Sequence, residues 1–387
     1  MGPIQFSKLE RQNGSPEHGK RDMALHVFVM YADLTYGIYR TFQEGLLSRR
    51  MLVFTEHQTS FYCSANSWIE GFGNPDPNAA RERKKIRHPH HFFRSSLFLK
   101  SSSWSWGHLA SIIEDYSARK ITKEADTLDA ILGVTNHIRR SQPTTELLRG
   151  LPFYKPSASE TTLLDSFEDL ITAALSWHSC ENEDSSPQRK PTFPSWTWAG
   201  WSGEAEFWLR YIHETRHRSL LRNARLESLS EQTVVSSTLY KNNIQRELDT
   251  VTLIQFEAPM IPAASFERVK SPWADSDSDE DDYVNLINFQ VSGRRVYRNT
   301  YPGIYPFERL IENVRRGLWL CLVLCTGRCS EEGRAYEEQS FVLVVRLKAD
   351  QMTAERVGSF QLYSSPSEDA RLGPFAEGWT WRRVRLI

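Results

Sequence analysis

The eleven residues FPSWTWAGWSG, at positions 193–203, decide how this chain is expected to fold. They place three tryptophans within six residues, between a proline and two glycines. Trp196 and Trp198 alternate with small residues, so in an extended strand both rings share one face and Thr197 takes the other. Rings of this size are costly to leave in water. The stretch therefore predicts a short strand between two turns that anchors a core or a joint between two halves of the protein.

Length and composition indicate an ordinary globular protein with more than one core. At 387 residues the chain exceeds the usual size of a single hydrophobic core, so two domains are expected. Hydrophobic residues make up 40% and charged residues 25%, which is typical of soluble globular proteins. The net charge of −1 provides no overall field that would attract nucleic acid or an anionic membrane, so we expect neither partner.

The cysteines and the apolar runs indicate in which cellular compartment the protein is expected. The first 22 residues are polar and charged and contain no apolar segment of the kind that a secretory signal requires. The longest apolar run, at 317–325, is too short to span a bilayer. Five cysteines, an odd number spread along the chain, indicate reduced thiols in an intracellular protein. We therefore expect a cytoplasmic protein without a membrane span.

Hydrophobic periodicity predicts that the first part of the chain is mainly helical. Residues 1–36 are expected to form a flexible or divergent segment. A short helix is predicted around Phe42, Leu46 and Leu47, and two short strands follow, at 51–54 and 59–63. Three longer helices are predicted, at 108–116, at 122–133 with a start like a capping box, and at 162–178. Trp177 belongs to the apolar face of the last of them.

Residues 204–387 have the pattern of a β-rich domain. Strands are predicted at 251–256, 289–297, 317–325, 340–347 and 379–387, and the third and fourth are expected to pair as a hairpin. Trp379 and Trp381 repeat the spacing of the earlier tryptophan pair. Cys321, Cys325 and Cys329 are spaced by four, so in a strand the first two share a face, and Cys329 is expected in the following loop. They are interpreted as buried thiols, because a zinc site would need closer pairs and a fourth ligand.

Two charged segments raise alternatives to a solvated loop. The run DSDSDEDD at 275–282 invites a calcium interpretation, but Glu280 and Leu286 stand where an EF-hand loop needs Gly and Glu. We expect a disordered acidic loop in which Ser276 and Ser278 are candidates for phosphorylation. Residues 72–95 are basic and rich in histidine, and we interpret them as a solvated loop rather than a nucleic-acid patch or a metal site. Neither a metal nor a cofactor is predicted.

Five blocks of residues stand in order along residues 37–203. The first contains Phe42-Gln43-Glu44 and Arg50, the second Tyr116, Arg119 and Asp126, the third Gly150-Leu151-Pro152-Phe153, the fourth Ala174-Leu175-x-Trp177, and the last Phe193-Pro194-Ser195-Trp196-Thr197-Trp198-Ala199-Gly200-Trp201-x-Gly203. In this order they resemble the end of the fungal heterokaryon-incompatibility (HET) domain and the segments that follow it. Each block is loose alone, and the specific signal is the ordered set.

The resemblance implies both a fold and a role. The fold expected is α+β, with a helical HET-like remnant at 37–203 packed on a β-rich C-terminal domain at 204–387. The role implied is nonself recognition and programmed cell death in fungi, through HET-family relatives or self-association. The family's front portion has an Ser-Tyr-x-Trp-Gly-like strand end and an aromatic-Trp-Ile-Asp block, and residues 1–36 match neither. This difference indicates a truncated paralogue or a shortened gene model.

Three functional hypotheses remain open at this point. The chain contains no Gly-rich phosphate loop, nucleophile elbow or HExxH motif, so a non-enzymatic signalling or interaction module comes first. HET domains are similar in fold class to TIR domains, some of which cleave NAD with a pocket glutamate, and the resemblance offers Glu44 as the only catalytic candidate. The third hypothesis is a β domain in which exposed tryptophan rings stack on a flat ligand such as a sugar.

Overall fold

The computed structural model describes residues 26–29, 46–47, 50–54, 59–63, 67–69, 106–119, 123–141, 145–154, 166–179, 187–208, 216–228, 234–235, 245–266, 288–291, 294–299, 307–329, 337–364 and 379–387. Several expectations fall outside these ranges. They concern Phe42, Gln43 and Glu44, the basic segment at 72–95, and the acidic run at 275–282 with its two serines.

The chain divides into two compact units, residues 1–31 with 48–75 and residues 32–47 with 76–387. In the first unit the described residues form a four-stranded sheet in the order β1-β2-β3-β4. Its strands are β1 His26–Val29, β2 Arg50–Phe54, β3 Thr59–Cys63 and β4 Ser67–Ile69. β1 is parallel to β2, and the other two pairs are antiparallel. The strands predicted at 51–54 and 59–63 are confirmed as β2 and β3.

In the second unit, Leu46 and Leu47 are helical, as predicted for the short helix around Phe42. Five further helices are described in full. They are α1 Trp106–Ser117, α2 Asp129–Ser141, α3 Phe167–Leu175, α4 Gln245–Thr250 and α5 Phe307–Arg315. The helix predicted at 108–116 is confirmed as α1. The start predicted at Thr122 is wrong, because a 3-10 turn occupies Glu124–Thr127 and α2 begins after it. The observed capping box lies on α3, where Ser166 Oγ accepts from the Asp169 N–H and Asp169 accepts from the Ser166 N–H.

The helix predicted at 162–178 is shorter than expected. It ends at Leu175, and the next residues form strand β7, Trp177–Ser179, which pairs with β8, Ala205–Phe207. Trp177 therefore belongs to a strand, and its assignment to the helix face is wrong. A second small hairpin joins β5, Thr145–Leu148, to β6, Leu151–Tyr154.

A ten-stranded sheet dominates the second unit. Its strands are β9 Arg216–Ser219, β10 Arg222–Glu227, β11 Val234–Val235, β12 Leu253–Met260, β13 Asn288–Val291, β14 Arg294–Asn299, β15 Trp319–Cys329, β16 Glu337–Leu347, β17 Thr353–Ser364 and β18 Thr380–Leu386. The main path runs β11-β10-β12-β15-β16-β17-β14-β13, with β18 beside β12 and β17, and β9 beside β15. The β15–β16 hairpin is confirmed. The single strand predicted at 289–297 is instead the hairpin of β13 and β14.

Alternate residues of β15 face two different cores. Leu320, Leu322 and Leu324 enter the first core, while Cys321 and Val323 enter the second. The register shifts between Val323 and Cys325, and Cys325 lies in the first core. The expectation that the two cysteines share a face is therefore wrong, because the irregularity reverses the alternation. Cys321 and Cys325 are buried, as predicted. Cys329 is the last residue of β15, so its placement in the following loop is wrong.

The fold of the described residues is α+β, with helices packed against a large mixed sheet. α3 contacts β6, β9 and β10, and α5 packs against β15. The first core draws residues from both sides of position 203, including Trp196 and Phe256. Each described helix is too short or too polar to cross a membrane.

Candidate functional site

The tryptophan stretch forms a tight turn rather than a strand. Trp198–Gly200 is a single turn of 3-10 helix, in which the Thr197 hydroxyl accepts from the Ala199 N–H at 3.3 Å. The Gly200 N–H donates to the Thr197 carbonyl and the Trp201 N–H to the Trp198 carbonyl, each at 3.0 Å. The predicted strand is wrong because these backbone groups are satisfied locally. Thr197 is also fully buried.

All three rings of the stretch are buried. Trp196, Trp198 and Trp201 are 0%, 3% and 6% exposed. Each indole N–H donates to a backbone carbonyl: Trp196 to Thr252 at 3.4 Å, Trp198 to Gly150 at 2.8 Å and Trp201 to Ser195 at 2.7 Å. Buried indoles need such partners. The rings therefore tie three segments together and present no open face to a ligand.

Tyr116 connects α1 to this stretch. Its ring meets Trp198 edge-on, with ring centroids 5.8 Å apart, and its hydroxyl donates to the Thr127 carbonyl at 2.8 Å. Burial raises the pKa of Tyr116 far above its usual value, so the phenol stays protonated and donates. The charges of the other two residues of the same block, Arg119 and Asp126, act on the Tyr116 phenol. Arg119 donates to the Asp115 carbonyl at 3.1 Å, and Asp126 is exposed on the 3-10 turn before α2.

Ser195 joins three parts of the chain through one residue. Its N–H donates to the main-chain oxygen of Ile387 at 2.9 Å, and its hydroxyl donates to the same oxygen. The hydroxyl also accepts from the Arg356 N–H at 3.0 Å. Ser195 thereby holds β17 and the residue that follows β18 against the stretch. Pro194, half-buried beside it, accepts from the Thr197 N–H at 3.4 Å.

Gly200 is required by close packing of the backbone. A Cβ atom there would lie 2.4 Å from the Pro194 carbonyl oxygen and 2.9 Å from Arg189 Nη1. Arg189 donates to the carbonyls of Gly200, at 2.9 Å, and Phe193, at 2.6 Å, while its guanidinium lies 5.7 Å from the Trp201 ring centre. Burial lowers the pKa of Arg189. The sequence pattern did not single out this arginine, because it precedes the motif.

The β5–β6 turn meets the stretch from another side. Gly150 has a φ of +91°, and a Cβ there would lie 2.6 Å from Leu128 Cδ2 and 3.4 Å from the Trp198 ring. Its neighbour Arg149 offers its carbonyl to the Thr197 hydroxyl at 2.8 Å. Only glycine combines this backbone conformation with so close an approach. The third block of the resemblance is thus in contact with the fifth.

A buried arginine completes the site. Arg356 of β17 is 2% exposed, and its guanidinium stacks 3.8 Å from the ring centre of Trp177. It donates to the Leu175 carbonyl at 2.9 Å, to the Trp177 carbonyl and to Ser359 Oγ at 3.1 Å. No carboxylate of the described residues forms an ion pair with it. Its charge instead faces carbonyls at the C-terminal end of α3, where the helix dipole favours a cation.

The ionisation of Arg356 and its link to the rings follow from this packing. Burial lowers the pKa of Arg356 to about 9, which still leaves the guanidinium protonated at neutral pH. Trp177, beneath it, donates its indole N–H to the Trp196 carbonyl at 3.0 Å. The residues 193–203, together with Tyr116, Gly150, Trp177 and Arg356, form one continuous cluster. We call it the tryptophan junction.

The remaining candidate residues are not in this cluster. Arg50 is half-buried in β2 of the first unit. Phe42, Gln43 and Glu44 lie outside the described residues, so the catalytic candidate has no position here. Of the neighbouring residues, Leu46 is buried and Leu47 is exposed.

The polar groups near the junction have structural partners. Glu114 accepts from the Phe207 N–H and Ser117 from the Ala205 N–H, both at 2.8 Å, so α1 holds β8 in place. His178 lies 3.1 Å from Glu206 across the β7–β8 pair. Among the described residues, no group of three or more His, Cys, Asp or Glu side chains could hold a metal ion. Burial raises the pKa of Cys325 to about 12, which opposes its thiolate form.

No family model, curated protein or solved structure matches the chain. Its likeness to the HET domain is therefore carried by the quoted residues alone.

Proposed function

We propose that this chain is a fungal heterokaryon-incompatibility-type signalling and interaction protein. It takes part in nonself recognition in the cytoplasm, where it triggers or modulates cell death through protein contacts rather than catalysis. In this proposal residues 37–203 correspond to the later part of a HET domain, and residues 204–387 are its β-rich extension. The partners are HET-family relatives or further copies of the chain.

One observation carries the proposal: four of the five resembling blocks meet in the tryptophan junction. Tyr116 of the second block touches Trp198, and Gly150 of the third accepts from the same indole. Trp177 of the fourth donates to the carbonyl of Trp196. Blocks that are spread over the sequence but meet in one core belong to a single fold. This convergence supports the reading of the blocks as one set rather than as separate chance matches.

The same contacts favour a scaffold over a reaction centre. The indole N–H groups of the motif and the hydroxyls of Ser195 and Thr197 are used in bonds to backbone atoms. A site for chemistry needs polar groups aimed at a substrate position. Burial of the three rings likewise argues against the ligand-stacking hypothesis for this stretch, because stacking requires an open ring face.

Expression in a filamentous fungus tests the proposed role. The chain is induced alone and together with a full-length HET-domain protein, and cell death is measured as uptake of a vital dye. We expect death on induction, or a change in the death that the full-length protein causes. The variant Arg140→Gln, at an exposed position of α2, is the matched control and should behave as the wild type. Unchanged death in both settings, with soluble protein present, would contradict the role.

A separate measurement distinguishes the enzymatic alternative. Purified full-length chain is incubated with NAD, and the remaining NAD is measured over time. We expect no consumption. If NAD is consumed and Glu44→Gln abolishes the reaction while leaving the thermal midpoint unchanged, the NAD-processing hypothesis replaces the non-enzymatic one.

A further inference from the structure

Three neighbouring strands, β10, β12 and β18, carry an arginine-rich surface. The register aligns Arg222 of β10 with Glu257 of β12 and Arg383 of β18. One row further, Arg225 aligns with Gln255 and Arg385. A register shift between Arg222 and Arg225 keeps both on the same face. We call this surface, made of Arg222, Arg225, Trp381, Arg383 and Arg385, the basic sheet face.

The positive charge of this face is only partly balanced within the sheet. Glu257 accepts from Arg383 at 2.8 Å and 2.5 Å and from Asn223 at 3.1 Å. Glu227 accepts from Arg385 at 2.9 Å. On this face of the three strands, four arginines thus stand against two glutamates, and Asp350, in the turn before β17, also attracts Arg385. Arg225 is exposed opposite Gln255, and no carboxylate of the described residues forms an ion pair with it.

An exposed aromatic ring extends the face beyond the first row. Trp381 is 39% exposed, and the guanidinium of Arg222 lies 3.6 Å from its ring centre. Stacking on a ring holds a guanidinium plane without using its N–H groups, which remain free to bind carboxylates in a fork. The face therefore presents a pre-arranged arginine beside the unpaired Arg225. This arrangement fits a ligand with closely spaced carboxylates or phosphates.

The chain itself contains a segment of the complementary charge. The run at 275–282 has six carboxylates in eight residues, while the chain as a whole has a net charge of −1. Ser276 and Ser278 within it would add further negative charge if phosphorylated. We propose that the basic sheet face binds the acidic run of a second copy of this chain. This contact supplies a binding surface for the interaction role proposed above. The binding itself does not depend on that role, and only its biological meaning rests on it.

The dimensions and charge of the face favour an acidic peptide over nucleic acid. Three strands spaced by about 4.8 Å make a strip about 10 Å wide, which suits one extended chain. Single-stranded nucleic acid is held by a longer basic groove and by successive stacking rings. Here one exposed ring is present among the residues of the face, and Arg222 already covers one of its sides. The small excess of positive charge on the face also matches a short acidic segment better than a polyanion.

The contact joins two different surfaces, which limits how copies of the chain can assemble. Each copy offers one basic sheet face and one acidic run, so the two surfaces that meet are different. Such heterologous contacts either close by reciprocal exchange between two copies or continue from copy to copy. Because the attraction is between exposed charges, it weakens as salt shortens the Debye length. Self-association that depends on protein concentration and salt is therefore the expected property of the purified chain.

Sedimentation velocity of the purified full-length chain tests this proposal, at about 50 mM and about 500 mM salt. The face variant is Arg225→Glu, and the run variant replaces the six carboxylates at 275–282 by amides. The matched control is Arg140→Glu, since Arg140 is exposed on α2. We expect each test variant to weaken association at low salt by about tenfold or more, the effect of roughly 1.4 kcal/mol, and the control to change it less than twofold.

A mixing experiment sharpens the result. The face variant keeps an intact run and the run variant keeps an intact face, so the mixture should associate more strongly than either variant alone. Equal thermal midpoints of all variants exclude unfolding as the cause, and Arg225→Lys should retain most of the association. A chain that stays monomeric at every concentration overturns the proposal, as does a run variant that associates like the wild type. Binding of a single-stranded RNA oligonucleotide that Trp381→Ala abolishes, without self-association, would instead assign the face to nucleic acid.

These outcomes are independent of the cell-death assay. Loss of self-association in Arg225→Glu with unchanged cell death would leave the surface assigned and remove its link to signalling. Absence of self-association with intact cell-death activity would overturn the surface and leave the proposed function standing.

Discussion

The same tripeptide, Trp-Thr-Trp, occurs twice in this chain with opposite structures. At 196–198 it lies in a turn entering a 3-10 helix, with its tryptophans 0% and 3% exposed. At 379–381 it leads into β18, and Trp381 is 39% exposed. The two copies share composition and spacing, so the difference comes from their neighbours and from the rest of the fold. Aromatic spacing alone thus does not decide between an anchor and a surface ring.

Local sequence accounts for part of this difference. Residues 193–203 have a proline before the pair and a glycine after it, which favour turns. Residues 383–386 instead alternate charged and apolar side chains, and β18 pairs with β12 over seven residues, from Ile254↔Leu386 to Met260↔Thr380. The first pair of rings therefore finds carbonyl partners around a turn. In the second Trp-Thr-Trp segment, the backbone forms the hydrogen bonds of the sheet, and Trp381 faces solvent.

The largest expected effect is the difference in the free energy of unfolding between Trp196→Ala and Trp381→Ala. Truncating a fully buried tryptophan lowers the free energy of unfolding by about 3–5 kcal/mol. Trp381→Ala removes mainly the stacking of Arg222, worth about 0.5–1 kcal/mol at an exposed site. Urea unfolding followed by circular dichroism measures both variants. Equal losses of stability would contradict the assignment of Trp196 to the core and of Trp381 to the surface.

A second, smaller effect concerns the glycine that closes the first pair. Gly200→Ala places a Cβ against the Pro194 carbonyl and is expected to destabilise the protein by about 1–3 kcal/mol, the usual range for overpacking. Gly358 of β17 is the matched control, because a Cβ there meets nothing within 4 Å. Gly358→Ala should be neutral or stabilise by up to about 1 kcal/mol. If thermal midpoints of the two variants coincide, close packing at the turn is not the reason for glycine.

The two threonines between the tryptophans give the third comparison. Thr197 donates to the Arg149 carbonyl and accepts from the Ala199 N–H inside the core, whereas Thr380 is exposed. Thr197→Val leaves two buried backbone groups unpaired and should lower the free energy of unfolding by about 1–3 kcal/mol. Thr380→Val should change it by less than about 0.5 kcal/mol. The same urea titration measures both, and a neutral Thr197→Val would show that the hydroxyl does not cap the turn.

The sequence predicts best those elements whose pattern is strictly local. Alternating or continuous apolar residues identified β2, β3, β12, the β15–β16 hairpin and β18, and helical spacing identified α1. Errors arose where a tertiary contact overrides the pattern. Trp177 extends the helical stripe of α3 but lies in β7, where Arg356 stacks on it from β17. Cys321 and Cys325 lost their shared face through one register shift.

The tryptophan junction itself could be predicted only in outline. Its three tryptophans predict burial, and the prediction of a joint between parts of the chain agrees with their contacts. The partners that make it rigid lie far away in sequence: Ser195 bonds to Ile387 across 192 residues, and Trp198 to Gly150 across 48. The burial of Arg356 could not be predicted from the sequence pattern, because a buried arginine paired with carbonyls looks like any surface arginine in a strand.

The smallest expected effect is a pH dependence around the second tryptophan pair. Hydrogen bonds from Arg383, with a weaker contribution from Asn223, lower the pKa of Glu257 below its usual value near 4.5. A lowered folded-state pKa means that the stabilisation is complete above the unfolded value and is lost as the pH falls through the folded value. Glu257→Gln should therefore flatten the decline of the thermal midpoint between neutral and acidic pH. The matched variant Glu312→Gln, at an exposed position of α5, should leave that slope unchanged. Equal slopes in the wild type and both variants would show that Glu257 is not held by its arginine.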